Sequence, residues 1–297
     1  MTTALPAPFG QRLLAAVEER GPLCVGIDPH PSLLAAWGLN DDVSGLERFA
    51  LTAVEALAGT VAALKPQVAF FERHGSRGVA VLERVLGEAP DGGCLTIADA
   101  KRGDIGSTMA AYADAFLGSG SPLAADAVTV SPFLGFGSLR PALDVARATG
   151  RGVFVLALTS NPEGAAVQHA RGPDGCTVAQ ALLEAVAAEN TGSKCRWGSV
   201  GVVVGATVGD VARVAPGLAV RGPILAPGIG AQGAAPRDLA RVFGSALPDV
   251  VASSSRDVLA AGADPGTRLT RLRDAARRAA DSVAAVIHEA PPAAGAT

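Results

Sequence analysis

The stretch CLTIADAKRGDIGST, residues 94–108, passes from an apolar, β-type segment directly into interleaved charges. Its first six residues, 94–99, have the composition of a buried strand. Because successive side chains of a strand point to opposite faces, Asp99 and Lys101 share one face, whereas Asp104 lies three residues further on in a loop. The stretch therefore predicts a strand whose carboxyl end presents a carboxylate and an ammonium group side by side.

Similar β-type segments recur along the chain and alternate with segments of helical spacing. The predicted strands are 23–28, 61–67, 94–99, 127–130, 152–159, 200–207, 223–229 and 249–255. The predicted helices between and after them include 44–59, 75–89, 107–118, 177–190, 236–247 and 266–290. Alternation of this kind implies parallel strands joined by right-handed crossovers, and eight units fit an α/β fold of the (β/α)8 TIM-barrel type. A doubly wound open sheet is the main alternative.

The domain organisation follows from the same pattern. We expect one domain over residues 1–297, with a core at about 9–289 and flexible tails on either side, at 1–8 and 290–297. An amphipathic helix precedes the first strand, and it either closes the barrel floor or packs on its side. The region 161–199 is long for a connection and is expected to decorate the fifth and sixth units.

Composition restricts the class of protein. Hydrophobic residues make up 49% and charged residues 18% of 297 residues, which is typical of a globular chain with a large core. A net charge of -3 gives no general attraction to phosphate backbones, so we expect no nucleic-acid partner. Four dispersed cysteines indicate reduced thiols, and no signal peptide or apolar membrane span is recognisable. A cytoplasmic protein without membrane attachment is expected.

Polar residues collect where the predicted strands end. In a barrel of this type, chemistry takes place at the carboxyl ends of the strands. Five of the eight ends carry such residues, namely Asp28, Lys65, Asp99 with Lys101, Thr159 with Ser160, and Ser254 to Arg256. Two structural explanations remain open at this point: Asp99 and Lys101 could form an ion pair that only supports the fold, and Asp104 could cap the helix that starts near Ser107.

A glycine-rich segment follows the seventh strand. Residues 228–233 read G-x-G-x-x-G, which by itself suggests a dinucleotide-binding turn. That interpretation fails because no acidic residue closes the next strand; Asp249 precedes it instead. A glycine-rich seventh loop followed by SSSR at 253–256 matches the phosphate site of these barrels, with Arg256 binding the phosphate through its planar guanidinium. A plain tight turn is the structural alternative.

These residues resemble one enzyme family. DAKRGDIGST is similar to the D-x-K-x-x-D-I signature of the orotidine 5′-monophosphate decarboxylases. Five more motifs match in the family's order, between about Leu23 and Leu259: GIDPHP (26–31), LKPQVAFFE (64–72), TSNP (159–162), PGIGAQG (227–233) and SSSRDVL (253–259). The resemblance implies cofactor-independent decarboxylation of orotidine 5′-monophosphate to UMP and CO2, the last step of de novo pyrimidine nucleotide biosynthesis.

The resemblance also implies roles for individual residues. The catalytic array would be Lys65, Asp99, Lys101 and Asp104, with Lys101 as the proton donor. Family members are dimers in which the second aspartate of the motif enters the partner's site, so Asp104 and Thr108 are expected to act across a homodimer interface.

The remaining roles concern substrate binding. Asp28 would bind the ribose together with Lys65, and Ser160, or the adjacent Thr159, would contact the pyrimidine. The resemblance assigns the phosphate end of the substrate to Gly230, Gln232, Ser255 and Arg256, with Gln232 linking base and phosphate.

Two other functions fit parts of the pattern. One is a Mg2+-dependent sugar-phosphate synthase or decarboxylase of the same barrel superfamily, which shares the D-x-K-x-x-D core but lacks the combined KPQ-x-AFFE and GAQG motifs. The other is a non-catalytic barrel that binds nucleotides. Against the second, binding alone gains nothing from a carboxylate that faces the substrate's carboxylate. We therefore expect an enzyme that uses neither a metal nor a cofactor.

Overall fold

Eight parallel strands close into a barrel in the computed structural model, which describes residues 6–209, 211–230 and 233–289. Each strand pairs with the next one in sequence, and the eighth pairs with the first. The strands are β1 (Leu23–Ile27), β2 (Ala63–Pro66), β3 (Leu95–Arg102), β4 (Ala127–Val130), β5 (Gly152–Leu158), β6 (Val200–Val204), β7 (Ile224–Pro227) and β8 (Val250–Ser254). The prediction of a TIM barrel is confirmed, and the open-sheet alternative is wrong because β1 and β8 are hydrogen-bonded to each other.

Helices alternate with these strands. Those of the described residues are α1 (Phe9–Arg20), α2 (Pro31–Ala36), α3 (Val43–Leu57), α4 (Val68–Glu72), α5 (Gly75–Asp91), α6 (Gly106–Leu117), α7 (Arg140–Thr149), α8 (Ala165–Gln168), α9 (Val178–Glu189), α10 (Val211–Val214), α11 (Asp238–Phe243), α12 (Arg256–Leu259) and α13 (Arg268–Glu289). Short 3₁₀ turns occur at Phe136–Leu139, Pro162–Gly164, Gly244–Asp249 and Ala260–Ala263. The helix predicted over 236–247 is shorter than expected, because Gly244 takes a positive φ of 49° and the chain continues as a 3₁₀ turn.

Helix α1 closes the floor of the barrel, which decides between the two positions predicted for it. The ring of Phe9 meets that of Phe154 edge to face, with centroids 5.9 Å apart and planes at 88°. Leu13 and Trp197 are buried in the same cluster. The fit is close: a Cβ on Gly152 would lie 2.1 Å from the Phe9 ring, so β5 needs glycine where it passes the helix.

The two faces of each strand have different tasks. Outward side chains such as Val25 and Val128 are buried in the large core that includes the surrounding helices. Inward side chains of the lowest layer, among them Ala63, Ile97 and Ala127, pack with α1. The next inward residues along the same strands reach the upper end of the barrel, so a polar side chain there faces the mouth and not the core.

The region 161–199 is only partly an excursion. Its helix α9 packs against β5 and β6 and contributes Leu183 and Val186 to the core, so it is the crossover helix that the repeat requires. Of the predicted tails, residues 1–5 and 290–297 lie outside the described residues. Within the described ranges, no helix has both the length and the apolar character needed to cross a membrane.

Candidate active site

A polar pocket occupies the mouth of the barrel and is lined by alternate residues of the strands. The second, third and fourth strand units contribute Lys65 and Gln67, Asp99 and Lys101, and Thr129. The remaining walls include Asp28, Leu156, Thr159, Val203, Leu225, Ser253, Ser255 and Arg256. Charges therefore concentrate on one side of the pocket, and apolar side chains of β5, β6 and β7 form the other.

Asp99 is the centre of the charged side. Its side chain is 9% exposed, and four donors surround its carboxylate. Oδ1 accepts from Lys101 Nζ at 2.6 Å and from Thr129 Oγ1 at 2.9 Å. Oδ2 accepts from Lys65 Nζ at 2.7 Å and from Gln67 Nε2 at 2.9 Å. Each carboxylate oxygen is thus held by one ammonium group and one neutral donor, which fixes its orientation.

The electrostatics keep both Asp99 and Lys65 charged. Burial alone would raise the pKa of Asp99, but the charges of Lys65 and Lys101 and their hydrogen bonds lower it well below its usual range. Burial would likewise lower the pKa of Lys65, but the carboxylates of Asp99 and Asp28 raise it above its ordinary value. At neutral pH the pocket therefore contains a buried carboxylate between two cationic side chains.

Lys101 is placed by an irregular backbone. The pairing of β3 with β4 shifts register between Ala98 and Arg102. Lys101 has φ = 48°, and only it and Arg221 combine a positive φ with a non-glycine side chain among the described residues. This left-handed conformation costs about 1–2 kcal/mol for an L-residue. The side chain of Lys101 is 45% exposed, so its ammonium contacts Asp99 while remaining open to the pocket.

Asp104 and Thr108 lie outside this pocket. Asp104 Oδ1 accepts from the N–H of Ile105 at 2.7 Å, and Thr108 is exposed in the first turn of α6. The residue at the N-cap position of α6 is Ile105, and no side chain caps the helix, so Asp104 is not the helix cap that the sequence left open. Three members of the predicted array meet within one chain, and the fourth does not join them there.

The predicted phosphate end is formed by the seventh and eighth units. Ser255 and Arg256 line the pocket, with Gly228 and Ile229 beside them. Gly230 lies at the edge of this wall with φ = 81°, and a Cβ there would approach a carboxylate oxygen of Asp257 to 1.5 Å, so glycine is required.

Gln232 and Asp28 are the other two residues that were predicted to bind substrate at this end or beside it. Gln232 lies outside the described residues. Asp28 Oδ1 is buried without a hydrogen-bond partner, as is Ser255 Oγ, so the carboxylate oxygen can accept a hydrogen bond from a bound molecule and the hydroxyl can accept or donate one.

After the fifth strand, Thr159 reaches the pocket, whereas Ser160 lines an adjacent groove with Asn161 and His169. Thr159 Oγ1 donates to Asn161 Oδ1 at 2.6 Å and accepts from Gln168 Nε2 at 2.7 Å. The sequence left the choice between Thr159 and Ser160 open, and in this chain Thr159 is the one that faces the pocket.

Gln67 and Thr129 are pocket residues that the sequence analysis missed. Both could have been found by the rule that was applied to β3. Gln67 lies two residues after Lys65, and Thr129 two residues after the floor residue Ala127, so each shares the inward face of its strand.

No group of three or more histidine, cysteine, aspartate or glutamate side chains is placed to hold a metal ion in the described ranges. The Asp99 oxygens are already engaged by ammonium, hydroxyl and amide donors.

Comparison with known proteins agrees with this geometry. Residues 21–271 match the model of the orotidine 5′-phosphate decarboxylase / HUMPS family. Orotidine 5′-phosphate decarboxylase from Streptomyces coelicolor is 63% identical over 271 residues, which cover 91% of this chain and 95% of that protein. Among solved structures, a Streptomyces avermitilis protein assigned as an orotidine 5′-phosphate decarboxylase is 59% identical, with a TM-score of 0.92 and coverage of 97% and 99%. The Leishmania donovani OMP decarboxylase is 29% identical, with a TM-score of 0.74 and coverage of 95% and 99%.

Proposed function

Because this chain belongs to the orotidine 5′-phosphate decarboxylase / HUMPS family, we propose that it converts orotidine 5′-monophosphate to UMP and CO2, the last step of de novo pyrimidine biosynthesis. The observation that carries the proposal is the buried Asp99 carboxylate held between Lys65 and Lys101 at the barrel mouth. The family description covers two kinds of enzyme, but relatives from five organisms at 53–63% identity all bear the decarboxylase name.

The chemistry requires a cation at one place. Loss of CO2 from C6 of the orotate ring leaves a carbanion in an orbital that the ring's π system cannot delocalise. In the proposed mechanism, the Lys101 ammonium stabilises this developing charge electrostatically and then donates the proton that replaces CO2 at C6. The half-exposed side chain of Lys101, hydrogen-bonded to Asp99 and open to the pocket, suits both tasks.

Asp99 would face the substrate's carboxylate. Two like charges about 4 Å apart repel each other by about 4 kcal/mol at an effective dielectric constant near 20, and this repulsion disappears as CO2 leaves. Such stress is small against the roughly 20 kcal/mol that the most proficient enzymes supply. We therefore assign most of the rate enhancement to stabilisation of the carbanion by Lys101, which its hydrogen bond to Asp99 keeps oriented.

The other pocket residues would bind the rest of the nucleotide. The ribose hydroxyls are assigned to Asp28 and Lys65, which line the same wall. The pyrimidine is assigned to the fifth loop, at Ser160 or the pocket-facing Thr159. The proposed phosphate-binding residues are Gly230, Gln232, Ser255 and Arg256.

A homodimer is part of the proposal, with Asp104 and Thr108 completing the partner's site. Large apolar side chains are exposed beside them: Ile105 is 63% and Phe133 75% exposed, in the loops after β3 and β4. The N–H of Ser131 donates to the carbonyl of Arg102 at 2.7 Å, which ties these two loops together. Exposed apolar side chains on two loops tied together in this way favour association of two copies there. We place this dimer in the cytoplasm, in keeping with four cysteines that form no disulfide.

The activity test follows the loss of orotidine 5′-monophosphate absorbance with EDTA present. The proposed function predicts full turnover, whereas a Mg2+-dependent sugar-phosphate enzyme or a non-catalytic nucleotide-binding barrel predicts none. Turnover that appears only when Mg2+ is restored would favour the metal-dependent alternative.

The shared site is tested by complementation. Lys101→Ala and Asp104→Ala are each expected to be inactive alone. In an equal mixture formed by co-expression, half of the dimers contain one chain of each kind, and each such dimer has one intact site, so about a quarter of wild-type activity should return. Two variants that stay inactive together would exclude a site built from both chains.

A further inference from the structure

Thr129 lies between Asp99 and Lys101, the two residues on which the proposed chemistry depends most. It lies on the inward face of β4, is 1% exposed and makes two hydrogen bonds through one hydroxyl. Its Oγ1 donates to Asp99 Oδ1 at 2.9 Å and accepts from the backbone N–H of Lys101 at 3.0 Å. The single side chain of Thr129 thus contacts both Asp99, the carboxylate proposed to face the substrate's carboxylate, and Lys101, the proposed proton donor.

The direction of these hydrogen bonds is determined by the chemistry of the partners. An ionised carboxylate can only accept, and a backbone N–H can only donate. The Thr129 hydroxyl hydrogen must therefore point to Asp99, which leaves a lone pair for Lys101. Because threonine is branched at Cβ, few rotamers compete with this one, and the hydroxyl is held in place before substrate binds.

The backbone of Lys101 needs such a partner. The register shift between β3 and β4 takes Lys101 out of the regular ladder, and its φ of 48° turns its N–H away from the usual parallel pairing. A partly buried N–H loses free energy when it lacks an acceptor, so a hydrogen bond from this N–H helps to hold the strained conformation. The hydroxyl of Thr129 is that acceptor.

We propose that Thr129 is a positioning residue for the decarboxylation proposed above, which locks the Asp99 carboxylate and the Lys101 backbone into one geometry. It acts through these two residues and need not touch the substrate. Its donation to Oδ1 also has a role during turnover, because Lys101 Nζ bonds the same oxygen and is the group that gives up a proton. When that ammonium becomes a neutral amine, Thr129 still holds Oδ1 in place.

The test compares variants that separate the hydroxyl from the shape of the side chain. Thr129→Val keeps the branched shape without the hydroxyl, and Thr129→Ser keeps the hydroxyl. We expect Thr129→Val to lower kcat about tenfold to hundredfold, as for the loss of a hydrogen bond to a charged group, with KM changed by less than about threefold. Thr129→Ser should stay within about threefold of wild type in both constants. Thr129→Ala removes the hydroxyl if the valine variant does not fold.

Thr96 provides a matched control. It is also 1% exposed, and its hydroxyl accepts from the N–H of Asp126 at 3.1 Å and donates to that residue's Oδ2 at 3.2 Å, away from the mouth. Thr96→Val therefore removes the same kind of buried bridge outside the site. It should lower the midpoint of thermal unfolding and leave kcat within about twofold of wild type.

The outcomes separate this inference from the function on which it rests. A wild-type enzyme that does not decarboxylate orotidine 5′-monophosphate would overturn the proposed function. An active wild type with an unchanged Thr129→Val, or with Thr129→Ser as impaired as Thr129→Val, would overturn only the role of the hydroxyl. Crystal structures test the proposal independently of enzymatic activity. In Thr129→Val the Lys101 peptide should leave its left-handed conformation. Finding that peptide and the Asp99 carboxylate unmoved would also contradict the proposal.

Discussion

At the floor of the barrel, Phe154 meets Phe9 edge to face among apolar neighbours, whereas at the mouth Asp99 accepts hydrogen bonds from four donors. Both regions are built by inward-facing residues of the same strands: β3 supplies Ile97 to the floor and Asp99 to the mouth. The floor contributes apolar burial, which stabilises the fold. The mouth contains a buried ion cluster, in which the attraction between partners offsets their desolvation, and a strained backbone at Lys101, which opposes stability. The contrast indicates that the floor stabilises the fold, whereas the mouth holds the residues proposed for catalysis.

The largest effect expected from this contrast is on turnover at the mouth. Lys101→Ala should lower kcat by at least about 10⁴-fold, because it removes the proposed proton donor, which is also the cation proposed to stabilise the carbanion. The free energy of unfolding should change by less than about 1 kcal/mol, since Asp99 keeps its other three donors. Turnover and urea unfolding of the same preparation provide the measurement.

Arg256→Ala is the comparison variant for this experiment. It removes a proposed phosphate contact at the far side of the pocket, so KM should rise much more than kcat falls when substrate is saturating. A Lys101→Ala enzyme that turns over at a rate within tenfold of wild type would remove Lys101 from its proposed role.

The floor should respond in the opposite way. Phe154→Ala is expected to reduce the free energy of unfolding by about 3–5 kcal/mol, because it leaves a cavity inside the barrel next to Phe9 of α1. The kcat of the molecules that remain folded should stay close to wild type. Val167→Ala, at a position 45% exposed, is the control and should change stability by less than about 0.5 kcal/mol. If the folded Phe154→Ala enzyme had a clearly lower kcat than wild type, the floor and the mouth would not contribute independently to stability and turnover.

The sequence predicted some features of the floor and of the mouth but not others. Eight strands and a barrel followed from alternation, because parallel pairing leaves few arrangements for such a pattern. The position of α1 stayed open, since an amphipathic helix fits the floor or the side equally well. Contact between Phe9 and Phe154 decides it, and such contacts depend on three-dimensional packing that a linear pattern does not contain.

At the mouth, period two placed Asp99 and Lys101 on one face, but it was applied to β3 alone. The same rule would have found Gln67 and Thr129 on the neighbouring strands. The left-handed backbone of Lys101 could not be predicted this way, since no residue in its neighbourhood favours a positive φ at a lysine. The trans role of Asp104 needs a second chain, so it stays a prediction.

The smallest effect is expected at Cys24, a fully buried residue of the floor cluster. Burial raises the pKa of its thiol to about 12, against about 8.5 in an unfolded chain. The folded state therefore holds a proton that the unfolded state releases above about pH 8.5, so stability must fall as pH rises through that range. At pH 9.5 the loss from this one thiol is on the order of 1 kcal/mol. The pKa of Lys65 is also raised, and the stability that follows from it is still present at pH 9.5. That stability is lost only when the pH rises above the pKa of an unfolded lysine, near 10.4.

Cys24→Ala should accordingly unfold with a smaller difference in free energy between pH 7 and pH 9.5 than wild type, whatever its absolute stability. Cys94, also buried with its pKa raised to about 12, still contributes a similar loss in both proteins, so some alkaline destabilisation remains. Urea unfolding at the two pH values measures the difference directly. An identical pH dependence in Cys24→Ala and wild type would mean that water reaches the Cys24 thiolate, or that the surrounding residues relax around it. The apolar floor cluster would then not exclude water at Cys24.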